Sequence, residues 1–299
     1  MKKYLEKYLD EFEYPEESKP YILAGYDYFR SQKDLSDYLD IAFESYVKGE
    51  YVWEERLKEL EELTKEREVH SFTLNLVFFL CMSKHARVLY EQKGYPYELF
   101  KANFKDFNYK LIETKNRYNV WGSSCYLAWY ILFFTLERFA LGRLQFEIRP
   151  FRGKEPYTAH GITLNPEEPC VNMHIPSSGP LTPESVEDSF KQAYYFFKDR
   201  FPTEYVPLMC HSWLLFPEHL NMLDEKSNIV QFMKRFDLLY TTDFENYEVP
   251  FSILFNRSFN GDLSSYEVTN SLQRGYIELV KQNKPCGTTC GVTLYKPEN

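Results

Sequence analysis

The chain has no basic block, no apolar signal-like start and no apolar run of membrane-spanning length. Its 35 Lys and Arg face 44 Asp and Glu, for a formal net charge of -9. An acidic chain without a cationic stretch argues against general binding to nucleic acid or to an anionic membrane, and leaves room for a local basic pocket. The N-terminus, MKKYLEKYLD, lacks the apolar core of a secretory signal. The longest apolar run, CYLAWYILFFTL at residues 125–136, falls short of the roughly 20 residues a spanning helix needs and reads as a buried core helix. Six cysteines are scattered through apolar segments. Cys81 and His85 share a helix face, and Cys286 and Cys290 lie near a loop. Neither pair supplies the three or four ligands of a zinc site, so no metal is expected. These features together predict a reduced, cytoplasmic protein whose thiols act as small core residues. There is no internal repeat and no low-complexity tract.

Apolar and aromatic side chains are abundant. Aromatics make up 18% of the 299 residues, enough for a large packed core in one or two domains. The first part reads as helical. In VWEERLKELEELTKEREV, Leu57, Leu60 and Leu63 recur at helical spacing among charges. FTLNLVFFLCMSKHARVLYEQKG reads as a buried helix stopped by Gly94, with Pro96 just beyond. Another helix is expected from near Tyr97 toward Lys115. A further one, capped by Ser123 or Ser124, is expected to end near Gly142.

Beyond Gly142 the pattern changes. RLQFEIRPF alternates, with Leu144, Phe146 and Ile148 on one face and Gln145, Glu147 and Arg149 on the other. GITL and CVNMHIP flank a turn at residues 165–169 and read as a hairpin. Then come a helix striped by Val186, Phe190, Ala193 and Phe197, a strand VPLMCHSWLLF, a short helix SNIVQFMKRF and a strand FDLLYTTDF. A helix over residues 264–284 and a strand GVTLY complete the order. The class is α+β: a helical N-terminal region followed by a mixed sheet with flanking helices.

One stretch, HIPSSGPLTPES at residues 174–185, compresses a strand end, a tight loop and a helix start. Thr182 suits an N-cap and Pro183 the first helical position. Two readings stand: an ordinary strand-to-helix connection, or a glycine loop that places an anion on a helix N-terminus, where free N–H groups and a partial positive charge converge.

The order of elements after Gly142 resembles the GNAT superfamily of N-acyltransferases. More closely, LGRLQFE, HIPSSGPLTPES, CHSWLL and SNIVQFMKRF, in this order behind a helical region, resemble a bacterial family that pairs a helical N-acyltransferase N-terminal domain, here residues 1–141, with a GNAT-like C-terminal domain, here 142–299. The resemblance implies an acyl group donated by acetyl-CoA or another acyl-CoA to a small-molecule or peptide amine. It places the pantetheine arm between two splayed strands, against the backbone of Asn172, Met173, His174 and Ile175. It places the pyrophosphate on Ser177, Ser178, Gly179 and Leu181, with Asn228 also on the cofactor side. The loop departs from the usual pattern: Pro176, Gly179 and Leu181 stand at its key positions, and Pro180 removes a donor. Glu184 and Glu187 are expected to repel a phosphate there. Met233 stands where many such enzymes carry an acidic tyrosine. These departures keep two rivals in view: a fold that binds CoA or regulates without turnover, and acyl transfer from an acyl carrier protein docked on Arg149, Arg152 and Lys154.

Attack of an amine on a thioester needs a base near neutral pKa, an oxyanion stabiliser and a proton for the departing sulfur. His211 is the first candidate base, His174 the second and Glu147 the third. Strand alternation puts His211 on the face of Met209 and Trp213, so Trp213 is expected to wall the acyl or acceptor pocket. Cys210 points the other way and cannot pair with its neighbour His211 as a nucleophile. Each candidate also has an ordinary structural reading: a hydrogen-bonded histidine in a core strand, a solvated Glu147, a core Trp213.

Overall fold

The computed structural model describes residues 1–298, and the chain divides into two compact units, Met1–Phe139 and Ala140–Asn299. In the first, the helices are α1 (Lys2–Glu11), α2 (Lys19–Ser31), α3 (Lys33–Lys48), α4 (Trp53–Thr64), α5 (Ser71–Gln92), α6 (Tyr97–Phe104), α7 (Asp106–Tyr118) and α8 (Ile131–Phe134). α5 is buried on almost every side: Leu74, Leu76, Val77, Phe78, Phe79, Leu80, Cys81 and Met82 are all inaccessible to solvent. By length and composition it could cross a membrane, yet 72% of its most apolar window is buried within the protein. Its Phe79 ring lies 4.8 Å from Tyr130, 5.6 Å from Phe134 and 6.0 Å from Phe107, offset and tilted contacts that aromatic pairs favour. Gly25 lets α2 cross closely; a Cβ there would stand 2.9 Å from the Thr73 methyl.

Two expected helices in this part are corrected. The run at 125–136 is not one long helix. It makes a 3-10 turn at Leu127–Tyr130 and the single α8 turn, because Leu136 takes a left-handed conformation (φ 60°) that a helix cannot continue. The chain then extends as β1 (Arg138–Leu141), which carries it from the first unit into the second. The helix expected from Tyr97 is two, α6 and α7, joined at Lys105.

The second unit contains β2 (Leu144–Pro150), β3 (Tyr157–Ala159), β4 (Ile162–Leu164), β5 (Pro169–His174), α9 (Pro183–Phe197), β6 (Val206–Ser212), α10 (His219–Met222), α11 (Asn228–Met233), β7 (Asp237–Asp243), α12 (Glu248–Phe255), α13 (Ser271–Lys281) and β8 (Gly287–Tyr295). Its sheet runs β1-β2-β5-β6-β8-β7, with β5 and β6 the parallel pair at its centre. The α+β class holds. The β4–β5 hairpin does not: β4 pairs with β3 in a separate two-stranded sheet, and β5 pairs with β2. The turn at 165–169 therefore links two sheets. The helix expected over 264–284 is α13 alone, preceded by α12 and a 3-10 turn at Leu263–Ser265.

Cross-strand partners share a face. Phe146, Met173 and Cys210 lie on the face toward α9, whose Phe190 ring meets Tyr295 at 5.4 Å. The other face carries Phe151, Leu164, Cys170, Met209, Cys290 and Val292 as a small buried cluster. A third cluster gathers Phe251, Tyr266, Tyr276 and Ile277 around α12 and α13.

Candidate active site on the central parallel strands

The β5–β6 ladder stops early. Its pairs are Val171↔Leu208, Asn172↔Met209 and Met173↔Cys210. The next residues, His174 and His211, stay in the sheet through their other neighbours, Gln145 and Cys290, but do not pair with each other. The pairing of the two strands ends at that point. Register puts Glu147, Asn172, His174, Met209, His211, Cys290 and Tyr240 on one face, so the end of the ladder lies among mostly polar side chains.

Glu147 is the anchor of this face. Its side chain is 4% exposed, not the solvated carboxylate that strand alternation alone suggests. A buried carboxylate is costly unless donors surround it. Its Oε1 accepts from Arg149 Nε at 2.9 Å and Asn172 Nδ2 at 3.4 Å, and lies 3.1 Å from His174 Nε2. A carboxylate oxygen can only accept, so the contact calls for a proton on His174 Nε2. Asn172 Nδ2 stands 3.2 Å from the same Nε2, closing a compact group of three side chains.

His211 is held differently. Its Nε2 is buried and has no hydrogen-bond partner among the described residues. Burial, with the nearby positive charge of Arg152, pushes its pKa below the usual histidine value, so the ring stays neutral. Its ring centroid is 6.1 Å from that of Tyr240. Burial holds the Tyr240 phenol above its ordinary range. Cys210 is buried on the opposite face, and burial raises its thiol pKa, which suits an inert core residue.

At the end of β5 the loop turns on Gly179, whose φ of 125° disfavours any side chain although open space surrounds it. Thr182 caps α9 by accepting from Ser185 N at 3.2 Å, and Pro183 is the first helical residue. Leu181 is buried, while Ser177 and Gly179 are exposed and Ser178 is half-buried. Glu187 is corrected: it does not face the loop as a bare charge. Arg235 Nη1 donates to it at 2.6 Å and Tyr295 Oη at 2.7 Å.

Trp213 is corrected as well. β6 ends at Ser212, and Trp213 opens a 3-10 turn that breaks the alternation. Its ring packs edge-on against His219 and Tyr276, at 5.9 and 5.8 Å, in the α12–α13 cluster. Asn228 begins α11, half-buried, and its side chain makes no hydrogen bond with the other candidates. Met233 is buried at 2% exposure. Among the described residues, no three His, Cys, Asp or Glu side chains are grouped so that they could hold a metal ion.

Arg143 is a loop residue that sequence reasoning missed. It donates to Gly179 O through Nη2 at 2.6 Å and Nε at 3.0 Å, and to Pro180 O at 3.3 Å. The signal was the Gly142 turn: a Cβ there would sit 2.7 Å from Ser189 Oγ, so this turn is pressed against α9.

A family model described as the GNAT-like C-terminal domain matches residues 139–293, more than half the chain. The chain belongs to that family. No curated protein is similar enough to match it. Solved structures with the same fold include an acyltransferase in complex with decanoyl-CoA, 19% identical, with a TM-score of 0.71 over 98% of this chain and 87% of that one. A second is an acyltransferase in complex with decanoyl-CoA and teicoplanin, 18% identical, TM-score 0.71, over 97% and 87%. A third is an acyltransferase mutant in complex with octanoyl-CoA, 20% identical, TM-score 0.69, over 97% and 87%. At such identities the likeness is one of fold.

Proposed function

We propose that this protein moves an acyl group from an acyl-CoA to an amine. The observation that carries the reading is the end of the β5–β6 ladder at Met173↔Cys210, with a glycine loop and a capped helix leading away from it. In that arrangement the pantetheine arm lies along Asn172, Met173, His174 and Ile175. The pyrophosphate lies on Ser177, Ser178, Gly179 and Leu181, at the positive end of α9. The acyl-CoA ligands of the solved acyltransferases that share the fold support the donor class.

His174 is the base this reading favours. Glu147 fixes the tautomer, so Nδ1 takes the proton that the amine loses as its nitrogen bonds to the thioester carbon. The carbon–sulfur bond then breaks, its electron pair stays on sulfur, and the thiolate takes up a proton. Tyr240, protonated at neutral pH, is a candidate donor for that proton. His211, with its buried Nε2, is suited to hydrogen-bond a reacting oxygen or nitrogen in the opening.

Thiol release from decanoyl-CoA and acetyl-CoA over an amine panel tests the reading; amine-dependent release supports it, and none with any amine contradicts it. One observation favours a second reading, a CoA-binding protein without turnover: Met233 is buried where many related enzymes carry an acidic tyrosine. Saturable CoA binding without thiol release is its signature.

A further inference from the structure

The segment that follows β2 crosses the polar face of the sheet. Phe151 N donates to Glu168 O at 2.7 Å, and Arg152 N lies 3.4 Å from Met209 Sδ. Met209 precedes His211 by two residues on the same face. Lys154 Nζ stands 4.8 Å from the Tyr240 ring centroid. Arg152 and Lys154 are both exposed, and neither side chain has an acidic partner among the described residues.

Three acids nearby are already engaged. Glu147 is held by Arg149, Glu168 accepts from Asn165 N and Nδ2, and Asp237 accepts from Tyr157 Oη. Two cations that form no ion pair among the described residues therefore flank the His211–Tyr240 pair, in a chain of net charge -9. Pro150 pairs with Pro169 and Gln145 with His174, so the segment that carries the two cations leaves the sheet at the start of β5, about 16 Å of strand from His174, before it crosses to Met209.

We infer that Arg152 and Lys154 bind an anionic group carried by the acceptor, so that the substrates are amines bearing a carboxylate or a phosphate near the amino group. This rests on the acyl-transfer reading. It adds that the acceptor is chosen by charge: the guanidinium takes the anion through paired N–H donors, and the ammonium adds a second positive charge.

Matched acceptors test it: an amino acid against its amide, and phosphoethanolamine against ethanolamine, in thiol-release assays with saturating decanoyl-CoA. The expected result is a preference of about 10- to 100-fold in kcat/KM for the anionic member of at least one pair. The carboxylate and phosphate pairs show which anion fits. In Arg152→Met/Lys154→Met the preference should fall to within about twofold while KM for decanoyl-CoA is unchanged. Equal rates for charged and neutral amines overturn this inference and leave acyl transfer standing; no thiol release with any amine overturns acyl transfer itself. A double variant that raises KM for decanoyl-CoA assigns the two cations to the donor's phosphates, or to an acidic carrier, and also overturns it.

Discussion

His174 is the diagonal neighbour of Glu147 across β2 and β5, and its Nε2 lies 3.1 Å from the buried Oε1. The carboxylate sits directly opposite Asn172, one strand step away, and the imidazole reaches across to it. This leaves the ring half-buried at the end of the β5–β6 ladder, with Nε2 turned to the carboxylate.

Glu147→Gln keeps the shape and removes the charge that fixes the tautomer. The expected loss in kcat is about 100-fold or more, with KM for the acyl-CoA little changed. His174→Ala should lose as much, and the double variant little more than either, because the two act as a unit. Full activity in Glu147→Gln removes His174 from the role of base.

His211 offers a titration that is independent of turnover. Burial first, and the Arg152 charge second, hold its pKa below 6.5. The NMR midpoint of its ring should lie below that value and move up toward it in Arg152→Met. A midpoint above 6.5 in the unaltered protein contradicts the placement of Arg152 beside this ring.

His219 carries a separate pH dependence of stability. Its Nδ1 donates to Leu214 O at 3.2 Å, so its Nε2 accepts from Tyr276 Oη at 3.0 Å, and protonation would break that bond. Burial lowers its pKa from 6.5 to about 4. Between those values the unfolded chain binds a proton that the folded one refuses. The contribution is thus complete above pH 6.5 and lost as pH falls toward 4, by about 3 kcal/mol. Urea unfolding of the protein and of His219→Gln at pH 7 and pH 4.5 checks this; the difference in pH sensitivity between them is the His219 share. Identical sensitivity contradicts it.

The candidate site was partly written in local sequence. Thr182 and Pro183 announce α9 because capping is a matter of adjacent residues, and the alternation of Leu144 to Arg149 announces β2. Glu147, Asn172 and His174 could each be singled out, but their union depends on the β2–β5 register, which no local pattern states. Arg143 on Gly179 and Arg152 beside Met209 are contacts of the same non-local kind. Trp213 does not follow the alternation of Met209 and His211, because β6 ends at Ser212 and a 3-10 turn begins there. The aromatic run at 125–136 misled for a related reason: a buried apolar segment has no periodicity to separate a long helix from two short turns.

The claim on which the rest depends is that the loop at Gly179 and the parted ends of β5 and β6 hold CoA. Isothermal titration with CoA is the direct measurement, made on the protein and on Gly179→Asp, where a charged side chain enters a position with φ of 125°. The account predicts saturable binding to the unaltered protein, weakened at least about tenfold in the variant by strain and by repulsion of the pyrophosphate. No heat of binding at millimolar CoA, or equal affinity in Gly179→Asp, would contradict it.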